Sequence, residues 1–185
     1  MVTIVVSPLT ALIKDQIDQL SQKGIIAKSI NHRVTQKEKD EIITDLQSEE
    51  TSKTCLLYVT PELCTTDKFR NLIKNVMGKN RLACIVVDEA HCISMWGRDF
   101  RPAYKSLGDL RLITVNIPWI ALTATSAENV KQDIITTLKF RDDFKTFKLP
   151  SFRLNLIYDV EFKNSDPNKV SPLYKKNHIN IKISI

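Results

Sequence analysis

Apolar positions along the chain fall alternately into short continuous runs and helical stripes. Val2–Ser7 (VTIVVS) is a β-branched run, and Pro8 follows where the first turn of a helix tolerates it. LTALIKDQIDQL then spaces Leu9, Leu12, Ile13, Ile17 and Leu20 along one helical face, with its charges opposite. Gly24 marks a stop, and IIAKSI predicts a short strand. Thr35 is placed to cap a charged helix through Leu46, whose apolar stripe is Ile42, Ile43 and Leu46. TCLLYV predicts a buried strand, followed by Thr60, Pro61 and Glu62. A helix is predicted from Asp67 to Met77 with Gly78 ending it, and LACIVV is the next strand. After an aromatic and basic stretch come a helix over Pro102–Leu112, a strand at WIALTA and a helix over Ala127–Leu138. FKTFKL and LNLIYDVEF are later strand candidates.

Strands alternating with helices at these intervals predict an α/β fold with a mostly parallel sheet flanked by helices. Ligands of such sheets sit outside the carboxyl ends of the strands. The unusual stretches all fall there: SPL after the first strand, TPE after the third, DEAH after the fourth and TAT after the fifth.

Composition adds bounds. The 185 residues, 43% apolar and 26% charged, suit one full globular domain with room for the start of another. No apolar run approaches the ~20 residues of a membrane span, and MVTIVVSPL lacks a basic n-region and a cleavage site. Cys55, Cys64, Cys84 and Cys92 show no CxxC spacing, so neither zinc nor a disulfide framework is expected, and the expected compartment is intracellular and reducing. A net charge of +6 is compatible with a polyanionic partner, but the lysines are scattered and the tail from Lys163 holds five of them.

Position says more than total charge. Asp88 and Glu89 leave the LACIVV run together. Acids there can simply cap a helix N-terminus. They also fit nucleoside triphosphate hydrolysis, which needs one carboxylate for the shell of a Mg²⁺ ion and a second to orient and deprotonate water. His91 is placed to link such a site to a neighbouring surface through a charge-sensitive hydrogen bond. The following stretch holds Trp96, Arg98, Asp99, Phe100, Arg101 and Tyr104. Aromatic faces stack on unpaired bases and arginines pair with phosphates, although Trp96 and Phe100 could equally pack beneath a loop.

SPLTALIKDQ, YVTPEL, DEAH and ALTATSAENVKQDI, in that order, resemble the first RecA-like lobe of a superfamily 2 helicase. HCISMWGRDFRPAYKSLGDLR resembles the aromatic-rich loop of the RecQ family, and LPSFRLNLIYDVEF its passage into the second lobe, eukaryotic members best. The resemblance covers nearly all of Val2–Phe162. It implies a RecA-like fold of P-loop NTPase type, with ATP and Mg²⁺ as cofactors and DNA, single-stranded or at a junction with duplex, as partner. Asp88 would hold Mg²⁺ through water and Glu89 would be the general base. Ser7, Pro8 and Leu9, with Lys14 and Gln16, resemble a first DNA-contacting motif, and Thr60, Pro61 and Glu62 a second. Trp96, Arg98, Asp99, Phe100, Arg101 and Tyr104 would form the loop that senses single-stranded DNA and relays to the ATP site, with Gly97 to Tyr104 outside the sheet. Thr123 and Thr125 would couple hydrolysis to unwinding. Arg98 stands where the family usually has His. A eukaryotic member would be nuclear.

One expected motif is absent. A phosphate-cradling loop needs GxxxxGK followed by Ser or Thr, so that backbone N–H groups can approach the phosphates. The four glycines are Gly24, Gly78, Gly97 and Gly108, and the sole Gly-Lys pair precedes Asn80. Residues 1–149 are therefore expected to be an N-terminally truncated first lobe of marginal stability, 150–162 an inter-lobe linker and the start of the second lobe, and 163–185 a disordered or out-of-family tail. The expected function is that of a fragment of a 3′-to-5′ DNA helicase, inactive alone. The alternative is a non-enzymatic single-stranded-DNA-binding module or truncated isoform.

Overall fold

The computed structural model describes residues 1–50, 52–95, 101–124 and 127–148, together with the backbone of 157–161 and 180–184. Residues 1–142 make one compact unit and 143–185 a second. In the first, β1 (Val2–Val6), β2 (Ala27–Ile30), β3 (Leu56–Val59), β4 (Leu82–Val87) and β5 (Trp119–Ala121) form a five-stranded sheet in the order β2-β3-β1-β4-β5. Every pairing is parallel, with Val6 opposite both Val59 and Val87. The parallel α/β expectation holds.

Among the described residues seven helices accompany the sheet: α1 (Thr10–Gln22), α2 (Gln36–Gln47), α3 (Pro61–Cys64), α4 (Asp67–Gly78), α5 (Pro102–Lys105), α6 (Leu107–Ile113) and α7 (Glu128–Thr137). Their starts follow local chemistry. Thr35 and Glu38 close a reciprocal capping box on α2. Thr66 accepts the Phe69 N–H of α4, and Asp67 adds an acid to its positive end. The far end of α2 is held by cations: Lys79 Nζ donates to the carbonyls of Gln47 and Ser48, and Arg81 to those of Ser48 and Glu49.

The sheet faces are unequal. Val2, Ile4, Val6, Leu57, Val59, Ile85 and Val87 pack with the buried sides of α2, α4, α6 and α7 into one large core. Phe69, Leu72, Ile73 and Val76 of α4 alone fill four positions there, each stabilising by roughly 1.5–3 kcal/mol on burial. Among the described elements the opposite face carries α1, with Ile13 against Val5, Ala27 and Tyr58. Trp119, expected in the core, is buried, and its indole N–H donates to Thr114 Oγ1 at 3.0 Å.

Two local expectations need correction, the single helix over Pro102–Leu112 and the strand at FKTFKL, and two further elements add to the reading. The helix over Pro102–Leu112 divides into α5 and α6 at Ser106, where Ser and Gly108 are weak helix formers. Pro61–Cys64 forms α3, because Pro61 presets the first helical turn. FKTFKL makes no strand in its described part, Phe144 to Lys148, where Phe147 is fully open to solvent. In the second unit β6 (Ile157–Glu161), within the strand candidate LNLIYDVEF, pairs antiparallel with β7 (Asn180–Ser184). The alternation in NIKIS, an apolar residue at every second position, is the strand signal there.

Candidate active site and strand-binding face

The chain runs from β1 to β2 and β3 on one side of the sheet, then crosses to β4 on the other side of β1. α1 follows β1 onto one sheet face, while the elements after β4 pack on the opposite one. The strand order thus reverses between β1 and β4, and a crevice opens at their carboxyl ends. The two strands end together: Asp88 N–H donates to Val6 O at 2.9 Å, and Ser7 N–H to Val59 O at 3.0 Å.

Ser7 Oγ donates to Asp88 Oδ2 across this crevice at 3.2 Å. Ser7 is buried, so its hydroxyl serves the carboxylate rather than solvent. Asp88 Oδ1 accepts the Glu89 N–H at 3.0 Å, leaving the half-buried carboxylate oriented with lone pairs to spare.

Glu89 itself adopts the left-handed region at φ 48° and ψ 43°. A residue with a side chain is held there at a cost of roughly 1–3 kcal/mol, which the surroundings must over-determine. They do so from several sides. Ala90 N–H donates to Leu122 O at 2.8 Å, Cys92 N–H to Glu89 O at 2.9 Å, and the Tyr104 hydroxyl to Asp88 O at 2.8 Å. Ala90–Ile93 then forms a 3₁₀ turn. Within it His91 Nδ1 lies 3.2 Å from Glu89 Oε2 and 3.3 Å from Thr123 Oγ1, and Ser94 Oγ donates to Asp133 of α7 at 2.5 Å. The tautomer of His91 decides whether Nδ1 donates towards Glu89 or accepts from the Thr123 hydroxyl.

Tyr104, expected in the strand-sensing loop, turns inward. It is fully buried, because Tyr104, Leu107 and Leu110 form one apolar stripe of α5 and α6. Burial, then the nearby Cys92 and Asp88, push its phenol far up, so it stays a donor throughout the working pH range. Burial and Asp88 raise Tyr58 in the same sense. Arg101 caps α5 from the extended region; its N–H donates to Cys92 O at 3.0 Å and its Nη1 to Pro8 O at 3.1 Å. The SPL turn, the carboxylate turn and α5 are therefore one assembly.

Pro8 is buried, Leu9 is exposed and Lys14 is on the open side of α1. Thr60 caps α3 through its carbonyl, which accepts from Leu63 N–H at 3.1 Å, while Pro61 is buried and Glu62 exposed. Thr60 and Glu62 also border a groove of about 840 Å³ between α2 and α4, whose rim carries Lys39 and Lys68. Asp88 is not on its wall. Trp96, Arg98, Phe100 and Thr125 lie outside the described residues. Among the described residues no cluster of three or more His, Cys, Asp or Glu side chains suits a protein-built metal cage, and no helix is long and apolar enough to cross a membrane.

Residues 1–133 match the family model of the DEAD/DEAH box helicases. The chain is 42% identical over 167 residues to the ATP-dependent DNA helicase Q5 of Rattus norvegicus, covering 90% of this chain and 17% of that protein. It is 40% identical over 185 residues to the ATP-dependent DNA helicase Q-like 4B of Arabidopsis thaliana, covering 96% of this chain and 15% of the other. It is 40% identical over 157 residues to the ATP-dependent DNA helicase RecQ of Haemophilus influenzae, covering 83% of this chain and 24% of that one. The chain thus spans a quarter or less of the relatives it matches. A de novo designed protein of P-loop NTPase fold aligns at a TM-score of 0.38 and 9% identity, over 75% of this chain and 88% of the design.

Proposed function

The chain belongs to the DEAD/DEAH box helicases, with RecQ-type DNA helicases as its relatives, and from that premise we propose that it forms much of the first motor lobe of a 3′-to-5′ DNA helicase. The observation that carries this reading is the convergence of Ser7, Asp88, Glu89, His91 and Arg101 at the crevice between β1 and β4. A nucleotide bound there and a DNA strand crossing the SPL turn would touch the same few residues.

The donor set fits Mg²⁺ held mainly by water and phosphate. Magnesium keeps several waters and takes one or two carboxylates, so a lone oriented Asp88 suits it. When bound, the ion would neutralise charge developing on the transferred phosphoryl group of ATP. Glu89, paired with His91, is positioned to orient a water and accept its proton. On the strand side, Leu9, Lys14, Thr60, Arg101 and the groove cations Lys39 and Lys68 offer apolar, hydroxyl and cationic contacts suited to a single strand or a strand leaving duplex. Such work places the protein inside the cell, in the nucleus of a eukaryote, in DNA repair and recombination.

A second reading concerns these 185 residues as a separate polypeptide. They contain no GxxxxGK[ST], and their Gly78-Lys79 pair is spent on the end of α2, where Lys79 also reaches Glu49 at 2.8 Å. That favours a polypeptide that binds a strand by itself without turning over ATP.

Fluorescence anisotropy with labelled single-stranded and duplex oligonucleotides at two salt concentrations tests the reading. Tighter binding of the single strand, weakening steeply as salt rises, is expected. Absence of binding, or equal affinity for both forms without salt dependence, would reject it.

A further inference from the structure

Among the described residues the five-stranded sheet has two edges, and they differ in chemistry. β2 carries the exposed Lys28, the kind of charge that keeps a sheet edge from pairing with another chain. β5 has no such guard: from Leu112 to Ala127 the chain holds no charged residue. Pro118 O accepts from Ile85 N–H at 3.0 Å, Leu122 N–H donates to Val87 O at 2.8 Å, and Leu122 O accepts from Ala90 N–H at 2.8 Å. Backbone polar groups alternate sides along a strand, so Pro118, Ile120 and Leu122 address β4 while the N–H and C=O of Trp119 and Ala121 address the open edge. Pro118 withholds a donor on the inner side alone. The side chains of Ile120 and Leu122 share one face of the sheet, and they are 46% and 49% exposed.

Two copies of this edge complement each other. Antiparallel pairing about a twofold axis at Ala121 sets that residue against its own copy, where the two exchange both N–H···O=C bonds. The small alanine side chains leave room for the approach. The same register sets Ile120 opposite Leu122 of the other copy, and Leu122 opposite Ile120, as apolar cross-strand pairs. We propose that β5 is a self-association edge of the 185-residue chain, through which two copies join their five-stranded sheets into one. The outer edges of the joined sheet are then two β2 strands, each guarded by Lys28, so assembly stops at two copies.

Sedimentation velocity of the 185-residue chain over about a hundredfold range of concentration tests this, and a monomer–dimer equilibrium is expected. Hydrogen exchange should show the Ala121 amide slowing as the dimer fills. The double variant Ile120→Lys with Leu122→Lys sets lysine against lysine at both cross-strand positions and should weaken association by about tenfold or more. Ile120→Lys with Leu122→Glu sets opposite charges there and should recover most of that loss. Circular dichroism checks that each variant is folded. If a double variant unfolds, Leu122→Lys alone replaces it, and the concentration-dependent protection of Ala121 in the wild-type chain decides by itself. A chain that stays monomeric throughout, oligomers larger than two, or a dimer indifferent to the lysines would overturn the proposal. So would a charge-swapped variant that associates no better than the double-lysine one, because the register would then be wrong.

Discussion

The imidazole Nδ1 of His91 stands 3.3 Å from the hydroxyl of Thr123 and so ties the turn after β4 to the end of β5. The same nitrogen lies 3.2 Å from Glu89 Oε2, which makes His91 a bridge between that carboxylate and the threonine motif. Thr123→Val keeps the shape and removes the hydroxyl, and His91→Ala removes the bridge. Each should lower stability by about 0.5–1.5 kcal/mol, the usual net worth of a hydrogen bond. Because the two residues share one contact, the double variant should lose less than the sum of the single losses. Urea denaturation of the four proteins measures this, and strict additivity would mean that His91 and Thr123 are merely neighbours.

The 185-residue chain should not release phosphate from ATP, even with single-stranded DNA present. Its one Gly-Lys pair sits at the end of α4 with Lys79 engaged by the last turn of α2, far in role from a phosphate cradle. In related NTPases an arginine finger alone is worth roughly 10³-fold or more, so a site lacking phosphate contacts starts from a very low rate. DNA-stimulated phosphate release that disappears in Glu89→Gln would refute this expectation.

Strand binding should depend on Arg101 and Trp96. Arg101→Ala should weaken single-strand affinity and flatten its salt dependence, because one phosphate contact and its released counterion are lost. Trp96→Ala should remove about 1–3 kcal/mol if a base stacks there. Titrations at two salt concentrations distinguish the effects. Affinity unchanged in both variants would assign the aromatic stretch to structure.

Much of this was legible in the chain because strand and helix periods differ so clearly. The runs at Val2–Val6 and Leu82–Val87 and the stripe from Phe69 to Val76 each have a single burial solution, and the structure adopts it. The carboxyl-end motifs could be placed once the strands were known. Less legible was anything requiring long-range contacts. Ser7 looks like a hydroxyl offered to a ligand, but parallel pairing with β3 and β4 buries it and hands it to Asp88. Tyr104 drew attention as part of an aromatic stretch, although its spacing to Leu107 and Leu110 already matched the core side of a helix. The left-handed Glu89 has no local signal at all, since contacts from β5, α5 and the 3₁₀ turn impose it together.

Asp45 should make stability depend on acid. Burial opposes its ionisation, but hydrogen bonds from Lys53, Thr54 and Ser52 outweigh that and hold the carboxyl below its ordinary value. A depressed folded-state value means that the stabilisation is fully present above the unfolded carboxyl range, near pH 4, and is lost as pH falls through the lower folded value. Asp45→Ala should cost about 1–3 kcal/mol at neutral pH, since backbone N–H groups of the segment from Ser52 to Thr54 lose their acceptor. The gap between variant and wild type should close at more acidic pH. A gap independent of pH would mean that packing, not charge, accounts for the loss.

Gly108 and Gly78 should respond oppositely to alanine. Both sit in helices without positive φ, and alanine is the better helix former by about 1 kcal/mol. At Gly78 an added Cβ meets nothing within 4 Å, so Gly78→Ala should stabilise by about 0.5–1 kcal/mol. At Gly108 the same atom would lie 2.5 Å from the carbonyl oxygen of Thr137. That carbonyl cannot easily yield. Lys139 turns left-handed at φ 49° directly after α7, and Phe140 N–H closes the helix end on Ile135 O at 3.1 Å. Moving Thr137 therefore means moving α7, together with the buried Ile134 and Leu138 beside it. Overpacking at such a contact costs typically about 1–3 kcal/mol, which exceeds the propensity gain. Thermal or urea unfolding of the two variants should place Gly78→Ala above wild type and Gly108→Ala below it. A stabilised Gly108→Ala would show that α6 and α7 approach less closely in solution than their backbones do here.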